Sequence, residues 1–273
     1  MIEIMKDKGF YYYQLNLEDH LFERLAQGVI FEDVTRGRQG NHLVERLGDK
    51  VSLVRTTTKY TRPAHCFSQA HHEVIEAIQQ VARQDIQVSD KSLMFNHALI
   101  EIYDRAYYKM GYHSDQMLDL ARDSYIVLFS CYEYPERDEA IRSLKIKDKT
   151  TGEQHTIALK HNSVVMFSLE TNVKYLHKIV LEPLPGPGTN DNRWLGLTLR
   201  QSNTWIEFDT NHTPRFADGS ELTLATEEQQ KQFYKLRGQE NRSMDFCYPS
   251  LSFTISDADI IKPVDMAPEC AAL

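Results

Sequence analysis

Arg193-Trp194-Leu195-Gly196-Leu197-Thr198-Leu199-Arg200 reads as a β-strand with two different faces. With a period of two, Leu195, Leu197 and Leu199 face one side, and Trp194, Gly196, Thr198 and Arg200 face the other. Strict parity puts Arg200 inside whatever the strand helps to enclose and leaves Arg193 outside, whereas a bulge near Gly196 would bring both arginines inward. Upstream, short stretches rich in branched and aromatic residues, separated by turn residues, recur at 94–103, 125–131, 143–147, 155–159, 164–167 and 175–181. So many short strands predict a closed or sandwiched β core. Lys149-Thr150-Thr151-Gly152 is a hairpin turn between two of them.

Around this core the pattern changes. A strand is expected at 10–13, a helix near 17–26 with Leu17, Leu21, Phe22 and Leu25 on one face, and strand material around 51–57. Ser68 caps a helix running to about residue 83, with Val74, Ile75, Ile78, Val81 and Ala82 at helical spacing. Thr226-Glu227-Glu228-Gln229 is a capping box ahead of a helix to about 237, and a further strand is expected at 251–255. The polar or Pro/Gly-rich stretches 133–140 and 183–192 are expected to be lid-like loops that carry substrate contacts. No linker, repeat or low-complexity tract interrupts the 273 residues. The expectation is one domain over 1–273: a core at about 94–202, an N-terminal α/β flank at 1–93 and a C-terminal extension at 203–273. The fold class is mainly β with flanking α-helices.

Composition narrows the possible partners. A net charge of -8 and a pI near 5.8 argue against a general electrostatic attraction to nucleic acid. Cys66, Cys131, Cys247 and Cys270 are scattered without a Cys-x-x-Cys pair, which speaks against a zinc ribbon or a disulfide framework. The first residues, Met1 to Asp7, lack the continuous apolar stretch of a signal peptide, and apolar runs elsewhere are far below membrane-spanning length. A cytoplasmic protein without a membrane partner is expected. The sequence is silent on oligomeric state.

The chemistry points to His113-Ser114-Asp115 and to His177 within Lys174-Tyr175-Leu176-His177-Lys178-Ile179. In a strand or its terminal turn, residues two apart point the same way, so His113 and Asp115 can reach one metal, with His177 arriving from a second strand. Two imidazoles and one carboxylate on one face of a ferrous ion leave the opposite face open, as in non-haem Fe(II) oxygenases. The rival cluster His71-His72-Glu73 lies in the predicted helix, where His71 and Glu73 diverge. It lacks a second His four residues on and reads as solvated helix surface. With iron at the triad, the open positions accept an α-keto acid and O2, and oxidative decarboxylation generates a high-valent iron-oxo species that attacks a C–H bond. The distal carboxylate of that acid, buried in a barrel, needs a cation. Arg200 and Arg193 are the candidates.

These segments, in this order, resemble the AlkB-like branch of the Fe(II)/2-oxoglutarate-dependent dioxygenases. Asn96 to Tyr103 is similar to the family's strand ending in a Tyr before the His-x-Asp; His161 to Phe167 to its His-Gly-Asp-Val-Val strand; Asn172 to Ile179 to the segment delivering the distal His; and Arg193 to Arg200 to its Arg-x-Asn-x-Thr-x-Arg strand. The resemblance covers roughly 94–202. It implies a double-stranded β-helix (jelly roll, cupin-like) holding Fe(II) on His113, Asp115 and His177, with 2-oxoglutarate and O2 as cosubstrates and Tyr103 hydrogen-bonding the 2-oxoglutarate. Three positions depart from the pattern: Trp194 stands where the first Arg aligns, Gly196 where Asn stands, and Glu101 where the family has Asn two residues before the Tyr. The carboxylate at position 115 favours hydroxylation or oxidative demethylation over halogenation, which the related halogenases achieve with a small residue there. The expected function is hydroxylation of a small molecule, an amino acid or secondary-metabolite precursor, with release of succinate and CO2. Demethylation of alkylated nucleic-acid bases is the alternative, and a catalytically silent jelly-roll binding module the alternative of another class. Arg55, Lys59 and Trp194 are the candidates for substrate contact.

Overall fold

In the computed structural model of the chain, residues 5–86, 89–137, 142–182 and 192–265 are described. Among them the largest element is an eight-stranded sheet with the order Phe10–Gln14, Ser163–Ser168, Tyr125–Tyr132, Trp194–Arg200, His97–Tyr103, Arg38–Val44, Glu32–Thr35; His65–Cys66 pairs off this path with Arg38–Val44. Along the path every neighbouring pair is antiparallel. A second sheet has Arg142–Asp148 between Gln154–Leu159 and Tyr175–Leu181, also antiparallel. Each strand expected between 94 and 201 is present within a few residues of its predicted bounds.

Alternation along these strands builds two cores on opposite faces of the large sheet. Ala98, Ile100 and Ile102, Val127 and Phe129, and Leu195, Leu197 and Leu199 pack with Phe22 and Leu25 of helix Leu21–Ala26 and with Val74, Ile75 and Ile78 of helix Gln69–Asp85. The residues between them in sequence, Tyr103, Ile126, Leu128, Tyr132 and Trp194, face the other way and meet Leu144, Ile146, Ile157 and Ile179 of the three-stranded sheet. Leu195, Leu197 and Leu199 are fully buried, each contributing roughly 1.5–3 kcal/mol by leaving water. Helices thus cover one face and a smaller sheet the other. The two apposed sheets form a double-stranded β-helix whose interior lies between them.

The hairpin at 149–152 forms as expected. Asp148 Oδ1 accepts from Thr150 N at 2.7 Å and Thr151 N at 2.8 Å, and Gly152 takes φ +75°, a left-handed conformation that favours glycine. The helix expected from 17 begins only at Leu21, because the Leu17 and Glu18 carbonyls accept from the Asn162 side-chain amide at 3.2 and 3.3 Å. The strand Arg38–Val44 escapes the sequence pattern. Its polar residues Asn41 and His42 are buried, the Asn41 amide donating to the Ile30 and Pro63 carbonyls. His71 is not solvated but fully buried: its Nδ1 accepts from Ser68 N at 3.0 Å, and its Nε2–H donates to the Leu25 carbonyl at 3.1 Å, tying two helices together. The stretch 183–191 and residues 138–140, expected as lid loops, lie outside the described residues, as does Cys270. Among the described residues no helix is long and apolar enough to cross a membrane.

Candidate metal centre

His113 and His177 are brought together by their own backbones. His113 N donates to the His177 carbonyl at 3.0 Å and His177 N to the His113 carbonyl at 2.6 Å, an isolated antiparallel bridge that sets the ring centroids 4.7 Å apart. Asp115, two residues on, is held by Asn172: its N–H donates to Asn172 Oδ1 at 2.7 Å and its carbonyl accepts from Asn172 Nδ2 at 2.8 Å. Asn172 sits in the short helix Leu169–Lys174 that feeds the His177 strand, so one amide ties both ligand-bearing segments.

The side chains then converge. Asp115 Oδ1 lies 3.3 Å from His177 Nε2 and 3.9 Å from His113 Nε2, and the three potential ligand atoms all fall within 4.8 Å of one another. Ligands about 2.1 Å from one ion, at right angles, stand roughly 3 Å apart, so a modest contraction completes the set. The His113 tautomer suits this role. Its Nδ1–H donates to the Gly111 carbonyl at 3.1 Å, leaving the Nε2 lone pair toward Asp115 and His177. Loss of solvent and the neighbouring His177 lower its pKa, which keeps the ring neutral and able to ligate.

Arg200 completes the geometry from the strand whose parity placed it inside. Its Nε and Nη2 both donate to Asp115 Oδ2, at 3.0 and 2.7 Å, leaving Oδ1 to face the imidazoles. Burial alone would raise the Asp115 pKa, but the Arg200 guanidinium, aided by His177 and His113, holds it well below the usual carboxylate range. Arg200 Nη1 is buried without a hydrogen-bond partner, an unspent donor beside the metal-ligand set. These groups line a cavity of about 80 Å³ together with Arg38, Glu101, Tyr103, Thr198 and the apolar Met110, Leu128, Phe167 and Ile179.

The departures from the family pattern explain one another. Trp194 is buried and its indole lies across Gly196, where any Cβ would collide with the ring. A large residue at one site therefore requires the smallest at the other. Glu101 does face the cavity, but it is paired: Arg38 Nε donates to its Oε1 at 2.6 Å and the Tyr103 hydroxyl to its Oε2 at 2.7 Å. Sequence reasoning missed Arg38 because it missed the strand. The one signal present was Gly37 after Val34-Thr35-Arg36, a turn with φ +75° whose place between two strands marks a hairpin.

Other expected site residues lie elsewhere. The Trp194–Arg200 pairing runs on both sides without a register shift, so no bulge turns Arg193 inward. Arg193 lies outside the cavity, forked onto Glu133 at 2.8 and 2.6 Å. Arg55 is buried and spent, on both Asp119 carboxylate oxygens and on the Leu251 and Phe253 carbonyls. Lys59 reaches Gln230 at the surface. Trp194 stands behind Tyr103, ring centroids 4.8 Å apart.

Among solved structures, the chain is similar to the structure of OsALKBH1 at 18% identity, covering 71% of this chain and 98% of that one with a TM-score of 0.44. It is also similar to a Pseudomonas putida prolyl-4-hydroxylase at 14% identity, covering 71% and 93% with a TM-score of 0.40. No curated protein sequence matches. The family model described as the 2OG-Fe(II) oxygenase superfamily matches residues 16–200, well over half of the chain and a stretch that ends on Arg200. His113, Asp115, His177 and Arg38 all fall inside that match, and the chain belongs to the 2OG-Fe(II) oxygenase superfamily, the iron- and 2-oxoglutarate-dependent dioxygenases.

Proposed function

We propose that this dioxygenase hydroxylates a small molecule, an amino acid or a secondary-metabolite precursor, within the cavity between its two sheets. The observation that supports this best is the cavity itself, about 80 Å³ between the two sheets, in a protein of net charge -8. A compact substrate asks the least of such a space.

His113 Nε2, Asp115 Oδ1 and His177 Nε2 are the atoms that would hold the iron. When bound, Fe(II), 2-oxoglutarate and O2 supply the oxidation, one oxygen atom going to succinate, with loss of CO2, and the other to the substrate. The residues present fit both groups. Arg200 neutralises Asp115 and still offers Nη1; Arg38, the second guanidinium of the cavity, offers charge for the far carboxylate of the 2-oxo acid in exchange for Glu101. Met110, Leu128, Phe167 and Ile179 keep bulk water from the reacting centre.

A second reading, oxidative demethylation of an alkylated base, is favoured by one specific observation. Lys178 Nζ lies 4.3 Å and Lys147 Nζ 6.0 Å from the ring centroid of Tyr112, the residue before His113, a cation–aromatic surface beside the metal site of the kind that backbone phosphates and bases use. Succinate formation separates the two. With Fe(II), O2 and 2-oxoglutarate, an amino acid or related small molecule should stimulate turnover, and alkylated single-stranded DNA should not. Stimulation by the DNA alone would replace the first reading with the second.

A further inference from the structure

The backbone of His113-Ser114-Asp115 has six polar groups, and every one is taken. His177 takes both of His113's, and Asn172 takes both of Asp115's. The two of Ser114 go to helix Glu227–Arg242: Ser114 N donates to Asn241 Oδ1 at 3.0 Å, and the Ser114 carbonyl accepts from Arg237 Nη2. The Ser114 hydroxyl donates to the same Asn241 oxygen at 3.1 Å. This helix lies beyond residues 16–200, the part of the chain that matches the family.

The grip is built rather than incidental. Ser114, Arg237 and Glu240 are buried at 1, 9 and 2% exposure. Glu240 fixes Arg237 through Nη1 at 2.6 Å and accepts from Met117 N at 2.9 Å, so the chain is pinned again two residues after Asp115. A buried guanidinium aimed at a main-chain carbonyl fixes the plane of the Ser114–Asp115 peptide, and Asn241 fixes the plane before it. The directions of the His113 and Asp115 side chains follow from those two planes.

We propose that Asn241 and Arg237 are positioning residues of the metal centre: the C-terminal helix sets the separation of the His113 and Asp115 ligand atoms, and metal affinity depends on it. This rests on the reading of His113, Asp115 and His177 as metal ligands. By linkage, metal binding must in turn steady the last turns of the helix.

Co(II) titration of the full chain, followed by its visible absorption, tests this without turnover. Asn241→Leu should bind Co(II) at least tenfold more weakly than the natural chain and with an altered spectrum, the usual scale for a group that orients a ligand. Asn241→Asp, which keeps the acceptor oxygen, should restore both. Val74→Ala, which loosens the helix-covered core on the far face of the large sheet, should leave the affinity and spectrum of the folded protein unchanged. Should Asn241→Leu not fold, hydrogen exchange on the unaltered chain decides: Co(II) should slow exchange of amides at 237–242. Natural affinity and spectrum in Asn241→Leu, equal weakening in Val74→Ala, or unchanged exchange would overturn the proposal. Failure of the unaltered chain to bind Co(II) at all would instead overturn the metal-ligand reading, and this inference with it.

Discussion

At the residue scale, the site is a set of paired charges, and its pairs make separable predictions. Asp115 and Arg200 are both nearly excluded from water, with side chains 7 and 8% exposed. Removing one partner of a buried pair strands the other, at about 3–5 kcal/mol. Asp115→Ala should therefore lose metal binding and also lower the unfolding free energy of the metal-free protein, read from urea denaturation, by about that much; an unchanged unfolding free energy would contradict the pairing. The second pair bears on the cosubstrate. On Mn(II)-loaded protein, Arg38→Ala should weaken 2-oxoglutarate binding about tenfold or more, the worth of a charge-assisted hydrogen bond, whereas Arg193→Ala should change it by less than about twofold. Calorimetry showing the reverse would return the anchor to Arg193. The iron-ligand candidates and Arg200 were legible because ligand type and strand parity suffice to find them. Arg38 was not, because nothing local to position 38 records that Glu101, distant in sequence, lies across the sheet.

At the element scale, the strands of the core announce themselves by alternation, since each separates two different interiors. Leu195, Leu197 and Leu199 turn to the helices, and Trp194, Thr198 and Arg200 turn to the smaller sheet. Arg38–Val44 hides because its buried middle is polar, held by hydrogen bonds from Asn41 and contacts of His42, with apolar bulk only at Leu43 and Val44. The helix Glu227–Arg242 was legible from its capping box, and Thr226 Oγ1 does accept from Gln229 N, but its grip on Ser114 was not, because long-range side-chain-to-backbone bonds leave no periodic trace. Turn chemistry is testable at this scale. A Cβ on Gly152 would touch nothing within 4 Å, so only its φ of +75° resists substitution. Gly152→Ala should cost about 1–2 kcal/mol in chemical denaturation while leaving metal affinity intact. A neutral outcome would mean that the hairpin between Arg142–Asp148 and Gln154–Leu159 tolerates a different turn.

At the scale of the whole molecule, buried neutral histidines make stability depend on pH. Burial brings His42, with help from Arg200, and His71 down to about 3, against about 6.5 in an unfolded chain. Between those values the unfolded state binds the extra proton, so stability falls as pH drops from about 6.5 toward 3, by at most about 1.4 kcal/mol per pH unit for each group. Asp259 opposes them: burial raises it to about 7, so its contribution is lost as pH rises toward that value. Burial lowers His97 and His113 as well, so the histidines outweigh the one carboxyl, and the urea midpoint of the metal-free protein should be lower at pH 4.5 than at pH 6.5. Equal midpoints would show that these histidines are reached by water. The chain has only two tryptophans, and one of them, Trp194, packs tilted against the cavity-lining Tyr103. The protein therefore carries its own fluorescent gauge: a molecule that nudges the tyrosine alters the light emitted by the indole, and occupancy can be followed without any label.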